Sequence, residues 1–104
     1  MTDPTVLKLA RGSLYLSRAV CDRYFPGLES VILMRRDDDL LVMPVTHAAN
    51  GGYLLKRRNA AGDRVVTAPD FFRLHGIDDR VERDLPSMWA SESAALKAAN
   101  AFRL

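Results

Sequence analysis

Two stretches of this sequence decide its fold: GSLYLSRAVCDRYFPGLESV at residues 12–31 and GDRVVTAPDFFRLHGIDDRV at residues 62–81. In both stretches a glycine, an apolar run, a hydroxyl residue and an arginine follow one another in step. A fixed period of this length usually means that one supersecondary unit is used twice. The sequence therefore predicts one domain with an internal repeat, at about residues 6–45 and 53–84.

The first unit begins with two strands and a short helix. Residues 6–16 alternate loosely around Gly12, which predicts a strand pair with a glycine turn or bulge. Ser17 is placed to cap a helix, and Pro26-Gly27 ends that helix after two turns. The unit is predicted to finish with a hairpin, because two β-rich runs flank the acidic turn at residues 37–39.

The second unit repeats this order after a joint at residues 46–52, where small and polar residues interrupt the pattern. Strands are predicted at residues 53–55 and 64–67, with the turn between them at Asn59–Gly62. Thr67 is then expected to cap a second short helix that carries Pro69 in its first turn. The copies diverge after Val81, and the sequence lacks a second clean hairpin.

The C-terminal segment is rich in alanine, which favours a helix. We expect this C-terminal helix at residues 90–103, with Leu96 and Phe102 spaced for packing. The predicted fold class is therefore mainly β with short helices (α+β): two tandem strand-turn-strand-helix-strand units and a C-terminal helix.

Composition limits the class of protein. The chain has 104 residues, of which 48% are hydrophobic and 27% charged, and a formal net charge of +2. It lacks the run of about 18 apolar residues that a membrane span needs, and its first residues do not follow the plan of a signal peptide. We therefore expect a cytoplasmic domain with no membrane partner, and we expect the single Cys21 to be a buried, reduced thiol.

Catalytic and metal-binding motifs are weak, so the sequence does not predict an enzyme. His47 and His75 have no cysteine or second histidine at ligand spacing, and neither glycine-rich phosphate-binding signature occurs. Three adjacent acids at residues 37–39 could attract a divalent cation, but metal loops need spaced ligands, so a soluble turn is favoured. No cofactor and no metal are predicted.

The order of these elements resembles the swapped-hairpin AbrB superfamily, which includes MazE-type antitoxins and MraZ regulators. The closer match is NAAGDRVVTAPDFFRLHGIDDRV at residues 59–81, and the looser one is RGSLYLSRAVCDRYFPGLESV at residues 11–31. Two copies in one chain are more similar to MraZ than to the single-copy antitoxins. The resemblance implies a small swapped-hairpin barrel, self-association, and a DNA-binding transcriptional regulator such as an antitoxin or operon autorepressor.

In that superfamily, arginines on turns and first strands reach phosphates and base edges, since a guanidinium is permanently charged and binds phosphate bidentately. The matching positions that the resemblance assigns to DNA binding are Lys8, Arg11, Arg18, Lys56, Arg57, Arg58 and Arg64. Lys56-Arg57-Arg58 is the best single candidate. The alternative is that these three residues form a solvated turn that blunts a sheet edge.

Arg23 and Arg73 occupy the same place in the two copies, which indicates a shared role. We expect each to pair with a carboxylate on its own helix, Asp22 or Asp70, and so to fix the helix against the sheet. A contact with DNA is the alternative.

A second functional class remains open: a non-enzymatic adaptor or accessory protein that binds a partner protein through the same β scaffold and the C-terminal helix. The residues predicted for such an interface are Met88, Trp89, Leu96 and Phe102. The mild basic excess and the acids between the arginines favour the adaptor, whereas the Lys56–Arg58 turn favours DNA.

Overall fold

The computed structural model describes residues 5–45 and 52–103 of the chain, and the predicted joint, with His47, lies outside them except for Gly52. The fold is mainly β: nine antiparallel strands curl into a nearly closed barrel, accompanied by two short helices. The elements are β1 (Thr5–Ala10), β2 (Ser13–Leu16), α1 (Arg18–Tyr24), β3 (Ser30–Arg36), β4 (Asp39–Pro44), β5 (Tyr53–Leu54), β6 (Lys56–Arg57), β7 (Arg64–Thr67), α2 (Pro69–Leu74), β8 (Glu82–Ala90), a 3₁₀ turn (Ser91–Ser93) and β9 (Ala95–Ala98). In the described part of the chain, neither helix has the length and apolar character to cross a membrane.

The strands are arranged in the order β5-β3-β4-β9-β8-β1-β2-β7-β6. The two ends of this order, β5 and β6, are separated along the chain only by Leu55, so the sheet nearly closes on itself. The sequence of elements β1-β2-α1-β3-β4 recurs as β6-β7-α2-β8-β9. The order strand-strand-helix-strand-strand thus occurs twice along the chain, at residues 5–44 and 56–98.

The first unit folds as the sequence predicts. The turn at Gly12 joins β1 to β2 and places Lys8 opposite Tyr15. The Ser17 hydroxyl accepts a hydrogen bond of 3.3 Å from the backbone N–H of Val20 and so caps α1. The predicted acidic turn joins β3 to β4, which pair as a hairpin.

The second unit differs from the expectation at the start of its helix. The turn at 59–62 forms as predicted, with a hydrogen bond of 3.2 Å from the Gly62 N–H to the Asn59 carbonyl. Thr67, however, is the last residue of β7 and does not cap α2; the cap position is held by Ala68, without a side-chain bond. The Ala68 N–H instead donates to the Gly12 carbonyl at 2.9 Å, so a turn of the first unit supports the helix of the second.

The predicted C-terminal helix at 90–103 is wrong, and so is the expected loss of the second hairpin. Strand β8 continues to Ala90, a 3₁₀ turn follows, and β9 pairs with both β8 and β4. Ala95, Leu96 and Ala98 of β9 are buried, and Leu96 and Ala98 belong to the core of the barrel. Packing between two strands thus overrides the helix propensity of alanine, which is a weak preference in a short segment.

Pro86, whose presence argued against a second hairpin, lies within β8 at a position that pairs with only one neighbouring strand. It is paired with Val6 of β1, whereas the pairing with β9 begins only at Ser87. A strand tolerates proline where a ladder bond is not required on both sides. The strands after α2 therefore continue to Ala98, past residue 84, where the sequence predicted the second unit to end.

The barrel encloses one apolar core to which both helices contribute. The largest fully buried side chains include Phe25, Phe72, Leu7, Leu9, Leu14, Leu16, Leu40, Leu85 and Leu96. Phe72 of α2 and Phe25 after α1 anchor the helices in this core. The charged side chains are thereby left on the barrel surface, where the candidate sites lie.

Candidate nucleic-acid interface and arginine cleft

A row of side chains crosses four strands on the outside of the barrel. Lys8 of β1 is opposite Tyr15 of β2, Tyr15 is opposite Val65 of β7, and Val65 is opposite Lys56 of β6. Residues directly opposite in antiparallel strands point to the same face, and both lysines are exposed. We call the surface around these four residues the sheet face. Three strand spacings of about 4.8 Å place the two lysine backbones about 14 Å apart.

Arg58 joins this face from the end of β6. Its guanidinium carbon lies 4.6 Å from the centroid of the Tyr15 ring, a cation–π contact. Its backbone N–H donates to the Asp63 carbonyl at 2.7 Å, which fixes the chain at this point. Lys8, Tyr15 and Arg58 line a shallow hollow of about 290 Å³.

The sheet face also carries acidic residues. Asp63 and Asp84 line the same hollow, and Asp84 of β8 is opposite Lys8. Three cationic side chains, Lys8, Lys56 and Arg58, therefore share this surface with two carboxylates. The face is basic but not strongly so.

Arg57 and Arg64 lie on the other side of their strands. They are opposite each other in the β6–β7 pair, and Arg64 is also opposite Leu16, whose side chain points into the barrel. The Arg57 side chain therefore points to the opposite face from the side chains of Lys56 and Arg58, because successive residues of a strand point to opposite faces. The sequence-predicted run Lys56-Arg57-Arg58 is divided between two surfaces.

A cleft of about 310 Å³ opens on this other side, beside α1. Arg18 of α1 lines it together with Arg57 and Arg64, and Asp22 is the acidic residue at its edge. We call this site the arginine cleft. It collects three of the seven basic residues that the sequence assigned to DNA binding.

Backbone carbonyls orient two of the three guanidinium groups. Arg57 donates from Nε to the Asn59 carbonyl at 3.2 Å and from Nη2 to the Ala60 carbonyl at 3.3 Å. Arg64 donates from Nη1 to the Leu55 carbonyl at 3.1 Å. Arg18 instead pairs through Nε with the Asp22 carboxylate at 3.5 Å, in an exposed setting.

The turn at 59–63 separates the sheet face from the arginine cleft and is held by Asp63. One Asp63 carboxylate oxygen accepts from the Arg18 backbone N–H at 2.9 Å, and the other accepts from the Asn59 side-chain amide at 3.0 Å. These hydrogen bonds, that of Asn59 first, hold the pKa of Asp63 below its ordinary value. Gly62 lies against the Arg18 side chain, so the turn and α1 are in direct contact.

Cys21 also lines the arginine cleft, but its side chain is buried. Burial raises the pKa of the Cys21 thiol from 9.0 to about 11, against a smaller lowering by Arg64. The residue is therefore a protonated thiol at neutral pH, which is a poor nucleophile.

Arg11 lies apart from the other predicted DNA-binding residues. It occupies the β1–β2 turn with a φ of 50°, next to Gly12. This turn adjoins the Ser13–Thr67 end of the β2–β7 pair, whereas the turn at 59–63 adjoins the Leu16–Arg64 end. The sequence could not separate the two ends, because each turn contains a glycine and has arginine in it or directly beside it.

Arg23 and Arg73 do not share one role. Arg73 pairs with Asp70 at 3.3 Å, as predicted, and also with Asp79 at 3.4 Å. Arg23 instead lies over the Tyr24 ring at 5.2 Å, and it forms no ion pair with a described residue. Both arginines are exposed, so neither fixes its helix against the sheet as predicted.

The residues predicted for a partner interface divide into core and surface. Leu96 and Phe102 are 0% and 7% exposed, so they belong to the core and do not meet a partner in this fold. Met88 and Trp89 are 64% and 36% exposed. The Trp89 ring stacks on Tyr24 of α1 at 5.6 Å with an interplanar angle of 6°.

Tyr15 was missed by sequence reasoning although a signal was present. A two-residue turn at Arg11-Gly12 places residue 8 opposite residue 15, so the contact of Tyr15 with the basic row follows from the hairpin register. Asp63 was missed because its hydrogen bond to Arg18 joins residues 45 positions apart.

Among residues 5–45 and 52–103, no three histidine, cysteine, aspartate or glutamate side chains come together as a group that could hold a metal ion. No family model, curated protein or solved structure matches this chain.

Proposed function

We propose that this chain is a non-enzymatic, DNA-binding transcriptional regulator of swapped-hairpin type, and that it binds the duplex through the sheet face. The swapped-hairpin part of the proposal is carried by one observation: strands at the same position in the two halves of the chain pair with each other. Strand β2 pairs with its equivalent β7, and β4 pairs with its equivalent β9. Strand β1 pairs with β8 of the other half, and β3 pairs with β5.

This pattern supports an exchange of hairpins between two halves of one chain. The β8–β9 hairpin of the second half completes the sheet of the first half through β1, and the β3–β4 hairpin adjoins β5 of the second half. Exchange of identical elements is an economical way to join two copies of a unit. With both copies in one chain, the barrel needs no second subunit to close.

The size of the sheet face supports binding to a duplex. The roughly 14 Å between the Lys8 and Lys56 backbones, from three strand spacings, is close to the major-groove width of about 12 Å. The two lysines are thus placed to reach phosphates on both sides of the groove. Arg58, held over Tyr15, lies between them and offers a fork of donors to a phosphate or a guanine.

Two acidic residues on the sheet face, Asp63 and Asp84, bear differently on DNA binding. The Asp63 carboxylate already accepts two hydrogen bonds, one from the Asn59 side chain in its own turn and one from the Arg18 backbone N–H of α1. Asp84 lies opposite Lys8 and opposes phosphate binding there. We therefore expect Asp84→Asn to increase the affinity for DNA, since it removes a negative charge beside the predicted contact.

The test is the salt dependence of DNA binding, measured by fluorescence anisotropy with a short labelled duplex. Replacing Lys8, Lys56 or Arg58 by glutamine should weaken binding and reduce the slope of log K against log salt by about 0.9 for each phosphate contact removed. Arg36→Gln is the matched control, because Arg36 loses the same charge but lies at the β3–β4 turn, bonded to Ser93. The proposal is abandoned if no binding occurs at low salt, or if Arg36→Gln has the same effect as the three variants.

A second candidate function is binding to a partner protein, favoured by the exposed surface at Met88 and Trp89. An exposed tryptophan stacked on a tyrosine is typical of interface anchors, which are enriched in large aromatic side chains. Under this alternative, Trp89→Ser should abolish retention of the partner by the immobilised protein while DNA binding is unchanged. The sheet-face variants should show the opposite pattern under the first proposal.

A further inference from the structure

The arginine cleft brings three cationic side chains together, and two carboxylates, those of Asp22 and Asp63, lie beside them. Arg18, Arg57 and Arg64 line it, and Asp22 is the acidic side chain among its described lining residues. The Arg18–Asp22 pair spans 3.5 Å, and both side chains are about two-thirds exposed or more, 68% and 70%. Exposed pairs of this kind are weak. The cleft therefore retains a net positive potential that an anion would relieve.

Its guanidinium groups keep donors available for a ligand. A guanidinium has five N–H donors in a fixed fork. The hydrogen bonds within the described part of the chain use Nε and Nη2 of Arg57 and Nη1 of Arg64. Nη1 of Arg57, and Nε and Nη2 of Arg64, have no acceptor there. The hydrogen bonds to backbone carbonyls already hold the guanidinium groups of Arg57 and Arg64 in place. Binding of a ligand therefore requires less ordering of these long side chains.

The volume of the arginine cleft limits it to a small ligand. A volume of about 310 Å³ is at the lower end of the range for ligand sites. Arginine forks match the oxygens of phosphate better than a point charge does, because two parallel N–H groups meet two oxygens. The cleft also lies on the opposite side of β6 and β7 from the sheet face, since Arg57 alternates with Lys56 and Arg58.

From these observations we propose that the arginine cleft binds the phosphate group of a small phosphate-bearing molecule, held by Arg57 and Arg64 with Arg18 closing the site from α1. The ligand bridges the β6–β7 turn and the helix, two elements already joined through Asp63. This site is separate from the DNA-binding function proposed for the sheet face and does not depend on it.

The proposal is tested by titrating the full chain with inorganic phosphate, at constant ionic strength and neutral pH, and following amide and arginine Nε–H signals by NMR. Saturable shifts are expected at Gly62 and at the Nε–H groups of Arg57 and Arg64. Arg57→Gln should weaken binding about tenfold, the scale of one hydrogen bond to a charged group. Lys56→Gln is the matched control: it removes the same charge from the neighbouring residue, on the sheet face, and should leave phosphate affinity within about twofold.

Two results would overturn the proposal. The first is no saturable shift up to about 20 mM phosphate, a concentration that would fill even a millimolar site. The second is equal weakening by Lys56→Gln and Arg57→Gln, which would indicate general attraction of anions to a basic surface. Because Arg57 is exposed, its variant should fold, and the shift map of the unaltered chain decides the matter independently.

A parallel titration with a short DNA duplex separates this site from the sheet face. Shifts at Lys8, Tyr15 and Arg58 with DNA, and at Gly62 with phosphate, are expected if both proposals hold. If the duplex shifts Gly62 and inorganic phosphate does not, the cleft is a DNA contact and the small-ligand proposal fails. If phosphate shifts Gly62 and the duplex shifts nothing, the DNA proposal fails and the small-ligand proposal stands.

Discussion

Replacing Gly12 by alanine should be the most destabilising glycine substitution in the described part of the chain. Gly12 has a φ of +73°, a conformation that residues with a Cβ rarely adopt. A Cβ built there would lie 2.6 Å from Cα and 2.7 Å from Cβ of Pro69. Those atoms belong to the first turn of α2, which is fixed in place by the hydrogen bond from Ala68 to the Gly12 carbonyl.

The expected magnitude follows from two separate costs. The left-handed conformation costs a residue with a side chain about 1–2 kcal/mol. Forcing a methyl group against packed atoms that cannot rotate away costs a further ~1–3 kcal/mol. Gly12→Ala should therefore lower the free energy of unfolding by about 2–5 kcal/mol, a large part of the total of about 5–15 kcal/mol for a typical domain.

Two other glycines with positive φ provide internal controls in different surroundings. Gly27 has a φ of +69° and nothing within 4 Å of an added Cβ, so alanine should cost only about 1–2 kcal/mol. At Gly62 the added Cβ would meet Cδ of Arg18 at 3.0 Å, and this flexible side chain can move. Gly62→Ala should therefore be less destabilising than Gly12→Ala, whose added methyl group meets backbone atoms.

The measurement is urea unfolding followed by far-UV circular dichroism and by the fluorescence of Trp89, with linear extrapolation to water. The three variants should rank with Gly12→Ala well below the other two. A Gly12→Ala variant within about 0.5 kcal/mol of Gly27→Ala, the scatter of neutral surface changes, would refute the steric argument. It would show that α2 moves away from the β1–β2 turn at little cost.

Two further predictions concern titration. Burial raises the pKa of the Cys21 thiol from 9.0 to about 11. The stability that the protonated thiol contributes is therefore present below pH 9.0 and is lost as the pH rises towards about 11. In Cys21→Ala the free energy of unfolding should depend less on pH over this range than in the unaltered chain. For Asp63, whose pKa is lowered first by the Asn59 side chain and then by the Arg18 backbone N–H, Asn59→Ala should raise the carboxyl pKa in an NMR titration. An unchanged Asp63 titration in that variant would mean that the Arg18 bond alone holds the carboxylate.

The local elements were predictable because their signals lie within a few residues of one another. The Gly12 turn, the Ser17 cap and the acidic β3–β4 turn are set by backbone conformation and by hydrogen bonds over two to four positions. The C-terminal segment was mispredicted for the opposite reason. Ala95–Ala98 becomes a strand because β4 and β8 offer partners on both sides, and those partners are distant in sequence.

The candidate sites show the same division. The sequence indicated the basic residues, including all three of the arginine cleft, but not that Arg57 and Arg58 serve different surfaces. That separation depends on the register of β6 against β7 and on the curvature that brings α1 beside the turn. A shift of one residue in register would exchange the two faces.

By itself, then, the sequence determined the mainly β class, the turns at Gly12 and at residues 37–39 and 59–62, the Ser17 cap and the number of cationic side chains. The tertiary structure alone decided which strands pair and which cations face one another across a cleft. The physical reason is distance along the chain. Turns and caps form between near neighbours, whereas strand pairs and tertiary hydrogen bonds join distant residues, such as Arg18 and Asp63, 45 positions apart. Those partners meet only when the barrel closes.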